Sequence, residues 1–396
     1  MIAAERRRAT PISELLARVG VIWLIVSAIF VINTWQAISG TALPGADGTM
    51  LMAQLRYLPG GVLAAKIVLV LLPLLAMGSA MLLAGLLAWR LFDSELIFYT
   101  VLTLALAIPV AAQFQPLRID HHGWQIVAVL AALNGLTARS ARSGGWAAGT
   151  ALGLGLTISL ELLPIAILFG VILALRWLVQ PGERSWLVHF LRAGALTILV
   201  AFPLTHDIGD LLGRCGMASA AVLAGFGIAA LGTSLLSLAP RMPRLPLLLA
   251  LGVIGAAALG GSMAVNQQCD AESFAALRSP VWSYRPEMIA QMIVPPFIGL
   301  IAALRLHIQS CAWLQRFWLE YGLLLCGALL VSIFDARASG LACALAAVPL
   351  AWQLRRWLRL AQKMRGPVAR VPAFSAMALA VMPGLPLMAI AGLSAS

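Results

Sequence analysis

Apolar runs of membrane-spanning length follow one another along almost the whole chain, and this succession limits what it can fold into. A bilayer core offers no water to backbone groups, so such a chain crosses it as helices of about 20 residues. Of the 396 residues, 61% are hydrophobic and 11% charged, whereas soluble proteins carry about 25% charged residues. We therefore predict an all-α polytopic membrane protein with about 13 transmembrane helices, forming a single transmembrane domain over residues 1–396.

The predicted spans alternate with loops on the two sides of the membrane. The run 146–177 is too long for one helix and has Pro164 near its middle, so we divide it into two short helices that turn near Glu161. The other spans are 19–36, 63–89, 95–113, 123–138, 187–204, 216–238, 245–264, 289–306, 318–334, 338–353 and 372–391. The predicted outer loops are 37–62, 114–122, 205–215 and 265–288.

The net charge of +12 reflects membrane orientation in this reading, and it does not indicate a nucleic-acid partner. With a cytoplasmic N-terminus, most of the 27 lysines and arginines fall in inner segments, as the positive-inside rule predicts. The basic residues of the inner segments also contact anionic membrane lipids in this reading. Seven of the 27 lysines and arginines fall on the outer side: Arg56, Lys66, Arg118, Arg214, Arg278, Arg285 and Arg337.

One short segment, Pro116 to Gln125, concentrates polar chemistry between two apolar runs. It contains Arg118, Asp120, His121 and His122 within five residues. Ionisable groups at a membrane are costly and default to a functional reading. A carboxylate and an imidazole two positions apart can ligate a divalent ion together. The alternatives are that Asp120 pairs with Arg118 and caps the next helix, and that the histidines only orient that helix.

Further polar residues on the predicted outer side extend this candidate site. Asp47 and Glu287 offer carboxylates for Mn²⁺ or Mg²⁺, and Arg337 offers a phosphate contact. Each has a structural alternative: Asp47 as a turn residue, Glu287 as an interface residue, and Arg337 as a partner of Asp335. Glu161 is either a substrate contact or a buried partner of a neighbouring span. Cys215 and Cys269 both map to predicted outer loops. Two readings fit this placement: the two cysteines form a disulfide, or they are separate thiols.

The sequence resembles the oligosaccharyltransferase catalytic subunits, which are membrane glycosyltransferases of the GT-C fold. The resemblance lies in an acid after the first span, in the Asp-x-His of RIDHHGWQI, and in short paired helices after the fourth span. It implies transfer of a sugar or glycan from a polyprenyl-phosphate or polyprenyl-diphosphate donor at the periplasmic face of a bacterial inner membrane. The acceptor is an unspecified glycan, lipid or protein.

The resemblance also implies roles for individual residues. Asp47, Asp120 and His122 would hold the metal ion, with Glu287 as a further ligand, and Asp47 and Asp120 would be catalytic. Arg118, Arg337, His121 and Glu161 would contact the substrate.

The sequence departs from that family at several points. Ser283 stands where a glutamate is expected, and Glu287 follows four residues later. We find no Trp-Trp-Asp-Tyr-Gly motif and expect no large soluble C-terminal domain, so protein N-glycosylation does not follow.

Two other functions remain open at the level of sequence. A transporter or flippase of a lipid-linked or small polar substrate would place charges at the membrane midplane in broken helices, and only Glu161 and Pro164 favour it. A non-catalytic scaffold gives no reason for the polar residues near His122.

Overall fold

The computed structural model describes residues 12–35, 61–117, 121–205, 220–239, 242–265, 279–364 and 366–384. All regular structure in these ranges is helical, as predicted. The predictions on Asp47, Arg118, Asp120, Cys215 and Cys269 lie outside the described residues and stay predictions. The helices are α1 Ile12–Asn33, α2 Gly61–Leu91, α3 Ser94–Leu106, α4 Ile108–Ala111, α5 His122–Leu136, α6 Ala141–Ile158, α7 Leu163–Val179, α8 Arg184–Thr205, α9 Ala220–Leu238, α10 Arg244–Val265, α11 Pro286–Gln309, α12 Ala312–Phe334, α13 Ser339–Lys363 and α14 Pro367–Val381.

Eight helices within the described ranges are long and apolar enough to cross a membrane. A ninth is added if α3 and α4 form one bent span. The chain is thus a multi-pass membrane protein, although the predicted number of about 13 spans is not confirmed.

The predicted span over 95–113 corresponds to α3 and α4, between which the chain bends by 70°. Ala107 takes an extended backbone, with φ −71° and ψ 103°. Pro109 follows two residues later, lacks the N–H that a continuous helix needs, and lies in the first turn of α4. The bend directs residues 112–114, a short 3-10 turn, toward the start of α5.

The chain divides into two compact units, and the first comprises residues 1–127, 281–318 and 337–396. Its centre is α13, whose residues 339–351 are all buried. These residues are small or apolar on every side, which suits a helix surrounded by others. Packing between α13 and α11 is close: a Cβ on Gly299 would lie 2.7 Å from Cβ of Ala346.

An ion-pair network fastens the C-terminal half of α13 to the start of α3. Arg355 donates to both carboxylate oxygens of Asp93, at 2.7 and 2.6 Å. Arg359 lies one turn further and donates to Glu95 at 2.7 Å. The span predicted over 338–353 ends too early, because α13 continues as a helix to Lys363. Pairing with α3 keeps this basic segment helical.

The second unit comprises residues 128–280 and 319–336. Helix α6 packs its glycine-rich face on α8: a Cβ on Gly145 would lie 2.8 Å from the carbonyl oxygen of Trp186. On α7, the buried Arg176 forms a double ion pair with the buried Glu320 of α12. The guanidinium of Arg176 also lies 4.7 Å from the ring centre of Trp186.

Candidate functional site

His121 and His122 lie at the start of α5 in the first unit, with ring centres 4.3 Å apart. His122 is buried, and its Nδ1 lies 3.3 Å from Oε1 of Gln125, one turn along the helix. Only a donor can face an amide oxygen, so this contact favours the tautomer with the proton on Nδ1. The lone pair is then on Nε2, the arrangement in which a histidine binds a metal ion.

Gly123 allows the chain to approach very closely just after the histidines. A Cβ at this position would lie 2.9 Å from the ring of Phe114 and 3.1 Å from the carbonyl oxygen of Gln113. Only glycine leaves space for this approach without a shift of the neighbouring residues. The start of α5, where the histidine pair lies, is therefore packed through Gly123 against the 3-10 turn that follows the bend at Ala107.

The same 3-10 turn contacts Arg337, which is exposed in the turn that precedes α13. The Nε2 of Gln113 donates to the carbonyl oxygen of Arg337 at 3.5 Å. Gln113 thus lies between two predicted site elements, the histidine pair and the arginine. We refer to this part of the first unit, where α5, α11 and α13 begin, as the histidine end.

The segment before the histidines is fastened to α2. The N–H of Leu117 donates to the carbonyl oxygen of Leu69 at 3.1 Å, and Leu117 has a φ of +66°. A left-handed backbone at a non-glycine residue costs roughly 1–2 kcal/mol, which the packing of Leu117 on Ala65 and Leu69 offsets. Lys66 is buried on the same stretch of α2, so a cation also lies close to the anchor of this segment.

Glu287 lies in the first turn of α11 and pairs with Arg285 at 3.8 Å. Its side chain is 14% exposed, whereas that of Arg285 is 83% exposed. Gly384 packs on this turn, since a Cβ there would lie 2.6 Å from the carbonyl oxygen of Glu287. Glu287 is therefore in the first unit, and its role as a metal ligand remains a prediction.

Glu161 belongs to the second unit and lies in the 3-10 turn Leu160–Leu162 between α6 and α7. This is where we predicted the run 146–177 to turn. The hydroxyl of Ser159 accepts from the N–H of Glu161 at 3.3 Å, and Pro164 lies in the first turn of α7. A cap that ends one helix and a proline that begins the next hold the carboxylate at the turn.

His121 and His122 offer imidazole nitrogens, and Glu161 offers a carboxylate. Divalent metal ions bind both kinds of ligand. The tautomer that Gln125 favours at His122 fits metal binding.

Sequence reasoning missed three glutamines at the histidine end, Gln113, Gln125 and Gln291. The signal was available, because an amide inside an apolar run must find partners in a membrane or remain unpaired. Gln125 and Gln291 are buried, and each of the three has at least one buried amide atom without a partner among the described residues.

Comparison with known proteins gives a clear likeness in structure and none in sequence. No protein-family profile and no curated protein matches the chain. The archaeal oligosaccharyltransferase of Archaeoglobus fulgidus in its apo form superposes with a TM-score of 0.63, over 93% of this chain and 55% of that one, at 14% identity. The fold is that of an oligosaccharyltransferase.

Two further structures of the archaeal enzyme, AglB, show the same likeness. The complex with an inhibitory peptide and a dolichol-phosphate gives a TM-score of 0.54 at 16% identity, over 84% of this chain and 45% of that one. The complex with Zn and sulfate gives 0.54 at 14% identity, over 81% and 40%. The present chain thus spans about half the length of these enzymes, and the shared feature is the GT-C fold.

Proposed function

We propose that this chain is a membrane glycosyltransferase that transfers a sugar or glycan from a polyprenyl-phosphate or polyprenyl-diphosphate donor. The observation that carries the proposal is the histidine pair at the start of α5, in a chain whose fold matches an oligosaccharyltransferase over 93% of its length. A structure of that archaeal enzyme contains a dolichol-phosphate, a lipid phosphate of the proposed donor class. We place the reaction at the periplasmic face of a bacterial inner membrane.

The proposed metal ligands are Asp47, Asp120 and His122, with Glu287 as a further carboxylate. Gln125 supports this role at His122, because its amide oxygen keeps the proton on Nδ1. The choice between Mn²⁺ and Mg²⁺ is open, since both accept carboxylate oxygens and tolerate an imidazole.

The chemistry is an inverting displacement at the anomeric carbon. The acceptor oxygen or nitrogen forms the new bond, the bond from the anomeric carbon to the phosphate oxygen breaks, and the phosphate departs with the electron pair. Asp47 accepts the proton of the acceptor nucleophile. A bound divalent ion supplies positive charge that stabilises the departing phosphate.

The remaining predicted residues act on the phosphate and on the substrate. Arg118 and Arg337 contact the phosphate, for which a planar guanidinium offers two parallel hydrogen bonds. His121 and Glu161 contact the substrate. Arg337 is exposed at the histidine end and is positioned through its backbone by Gln113.

A transporter of lipid-linked substrates is the second candidate, and one observation favours it. The chain breaks by 70° at Ala107, and broken helices are common at transporter binding sites. However, the oligosaccharyltransferase likeness extends over 93% of this chain, which favours the transferase.

The test uses the full chain in native membranes with radiolabelled undecaprenyl phosphosugars. Donor turnover is measured as sugar-dependent release of undecaprenyl phosphate, with and without Mn²⁺. We expect Asp120→Asn and His122→Ala to lower turnover at least a hundredfold, and EDTA to abolish it until Mn²⁺ is restored. Equal turnover in wild type and both variants would remove the proposed metal site.

The matched control is His307→Ala in the first unit. His307 lies near the C-terminal end of α11, and its Nδ1 lies 2.8 Å from the carbonyl oxygen of Gln315. Its loss should leave turnover unchanged. Movement of the labelled lipid across proteoliposomes without a covalent product would favour the transporter.

A further inference from the structure

Gln291, on the second turn of α11, is an amide buried without partners. Its side chain is 1% exposed, and neither Oε1 nor Nε2 has a hydrogen-bond partner among the described residues. Burial of an unpaired amide is unfavourable, because the group loses its hydrogen bonds to water. An apolar residue of similar size would avoid this penalty. An amide at this position therefore points to a binding role.

The surroundings of Gln291 hold its side chain in place. The Sγ of Cys343 donates to the backbone oxygen of Gln291 at 3.7 Å, which joins α11 to α13. A Cβ on Gly384 would lie 2.8 Å from Cγ and 3.0 Å from Nε2 of Gln291. Gly384 therefore packs directly on the amide, and the side chain is not a mobile surface group.

A second glutamine contacts α13 one turn away from Cys343. Gln113 packs on Gly340, where a Cβ would lie 2.9 Å from its Cγ. Gly340 and Cys343 are three residues apart on α13, a spacing of about 4.5 Å along the helix axis. Gln113 and Gln291 thus contact consecutive turns of α13 at the histidine end.

The unpaired atoms themselves define the chemistry of the ligand. Gln291 lacks partners at an acceptor and at a donor, Gln113 lacks one at the acceptor Oε1, and Gln125 lacks one at the donor Nε2. A phosphate can satisfy only donors and a cation only acceptors. A hydroxyl group satisfies both kinds. The set therefore matches an uncharged, hydroxyl-bearing ligand.

We propose that Gln291 and Gln113 form a subsite that binds the sugar of the lipid-linked donor through its hydroxyl groups. This inference rests on the proposed function, and it adds the part of the substrate that these residues recognise. The proposed arginines and metal ligands take the phosphate, and the glutamines take the neutral ring. Each well-made pair of hydrogen bonds to a buried amide changes affinity by about tenfold.

The test is a binding measurement on the purified full chain in nanodiscs. The probes are undecaprenyl phosphoglucose, undecaprenyl phosphomannose and undecaprenyl phosphogalactose, with undecaprenyl phosphate as the sugar-free lipid. We expect wild type to bind at least one phosphosugar more than tenfold more tightly than the bare lipid phosphate. Gln291→Met and Gln113→Met should each remove most of this difference. Gln291→Met should leave the affinity for undecaprenyl phosphate within twofold.

The thermal midpoint of unfolding separates a binding residue from a structural one. Gln291→Met removes an unpaired amide, so its Tm should equal or exceed that of wild type while sugar affinity falls. The matched control is Gln353→Met, because buried Gln353 on α13 accepts a hydrogen bond from Arg305 at 3.1 Å. That variant should lose stability and retain the preference for the phosphosugar.

Three outcomes overturn the inference: no phosphosugar binds better than undecaprenyl phosphate, Gln291→Met retains the full preference, or it weakens both lipids equally. The second would mean that the amide only holds water. None depends on turnover, so failure of the sugar subsite is distinguishable from failure of the proposed glycosyl transfer, which is judged by the Asp120 and His122 variants.

Discussion

The backbone N–H of Leu117 donates to the carbonyl oxygen of Leu69, 48 positions earlier in the chain, at 3.1 Å. Within a regular helix the Leu69 carbonyl would accept from the residue four positions later. That residue is Pro73, which lies inside α2 and has no N–H. The proline thus leaves a carbonyl available in an apolar helix, and the chain uses it to hold the segment that leads into the histidines.

Pro73→Ala should loosen this segment although it makes α2 a better helix. The new N–H competes for the Leu69 carbonyl, and the bond from Leu117, worth about 1 kcal/mol, is weakened. We expect amide hydrogen exchange of a peptide covering residues 112–117 to become several-fold faster. Pro349→Ala, inside α13, is the control and should leave this peptide unchanged. Identical exchange in Pro73→Ala and wild type would contradict the role assigned to the proline.

The buried residues Arg176 and Glu320 should be strongly coupled in their contributions to the free energy of unfolding. Both side chains are under 10% exposed, and removal of one partner leaves an unpaired buried charge. We expect Arg176→Met alone to cost about 3–5 kcal/mol of unfolding free energy, and Arg176→Met with Glu320→Leu to cost much less. A double-mutant cycle on detergent-solubilised protein measures the difference.

The exposed pair of Arg359 and Glu95 provides the comparison for that cycle. Its side chains are 60% and 51% exposed, although the two groups lie 2.7 Å apart. Its coupling should be no more than about 1 kcal/mol. If the two pairs couple equally, burial does not determine their contributions.

Sequence reasoning succeeded where the determining residues are neighbours in the chain. The turn at Glu161 follows from Pro164 and the length of the apolar run, and α5 begins where the polar segment ends. Sequence reasoning failed to extend α13 to Lys363. The helical state of this basic segment depends on the pairing of Arg355 with Asp93, which lies more than 260 positions earlier in the chain. Sequence reasoning also could not predict that the amide of Gln291 is buried without a partner, since this depends on how α11 and α13 pack.

Metal binding gives a prediction that needs no substrate. Mn²⁺ affinity of the purified full chain, measured by electron paramagnetic resonance, should fall at least a hundredfold in His122→Ala. Gln125→Leu should lower it about tenfold, because the amide oxygen no longer fixes the Nδ1 tautomer. His307→Ala is the control and should bind as wild type does. Unchanged affinity in both His122→Ala and Gln125→Leu would place the ion elsewhere.

Gly340→Ala should destabilise the first unit at the point where the 3-10 turn meets α13. The added methyl group would lie 2.9 Å from Cγ of Gln113 and 3.0 Å from the carbonyl oxygen of Pro109. Because the second contact is backbone, the side chain alone cannot relieve it, and we expect a loss of about 1–3 kcal/mol. Gly252→Ala is the control, since nothing lies within 4 Å of a Cβ there. Its Tm should stay equal to wild type or rise, because alanine is the better helix former. Equal midpoints for the two variants would mean that α13 can move away from the turn, and the histidine end would then be less tightly packed than these contacts indicate.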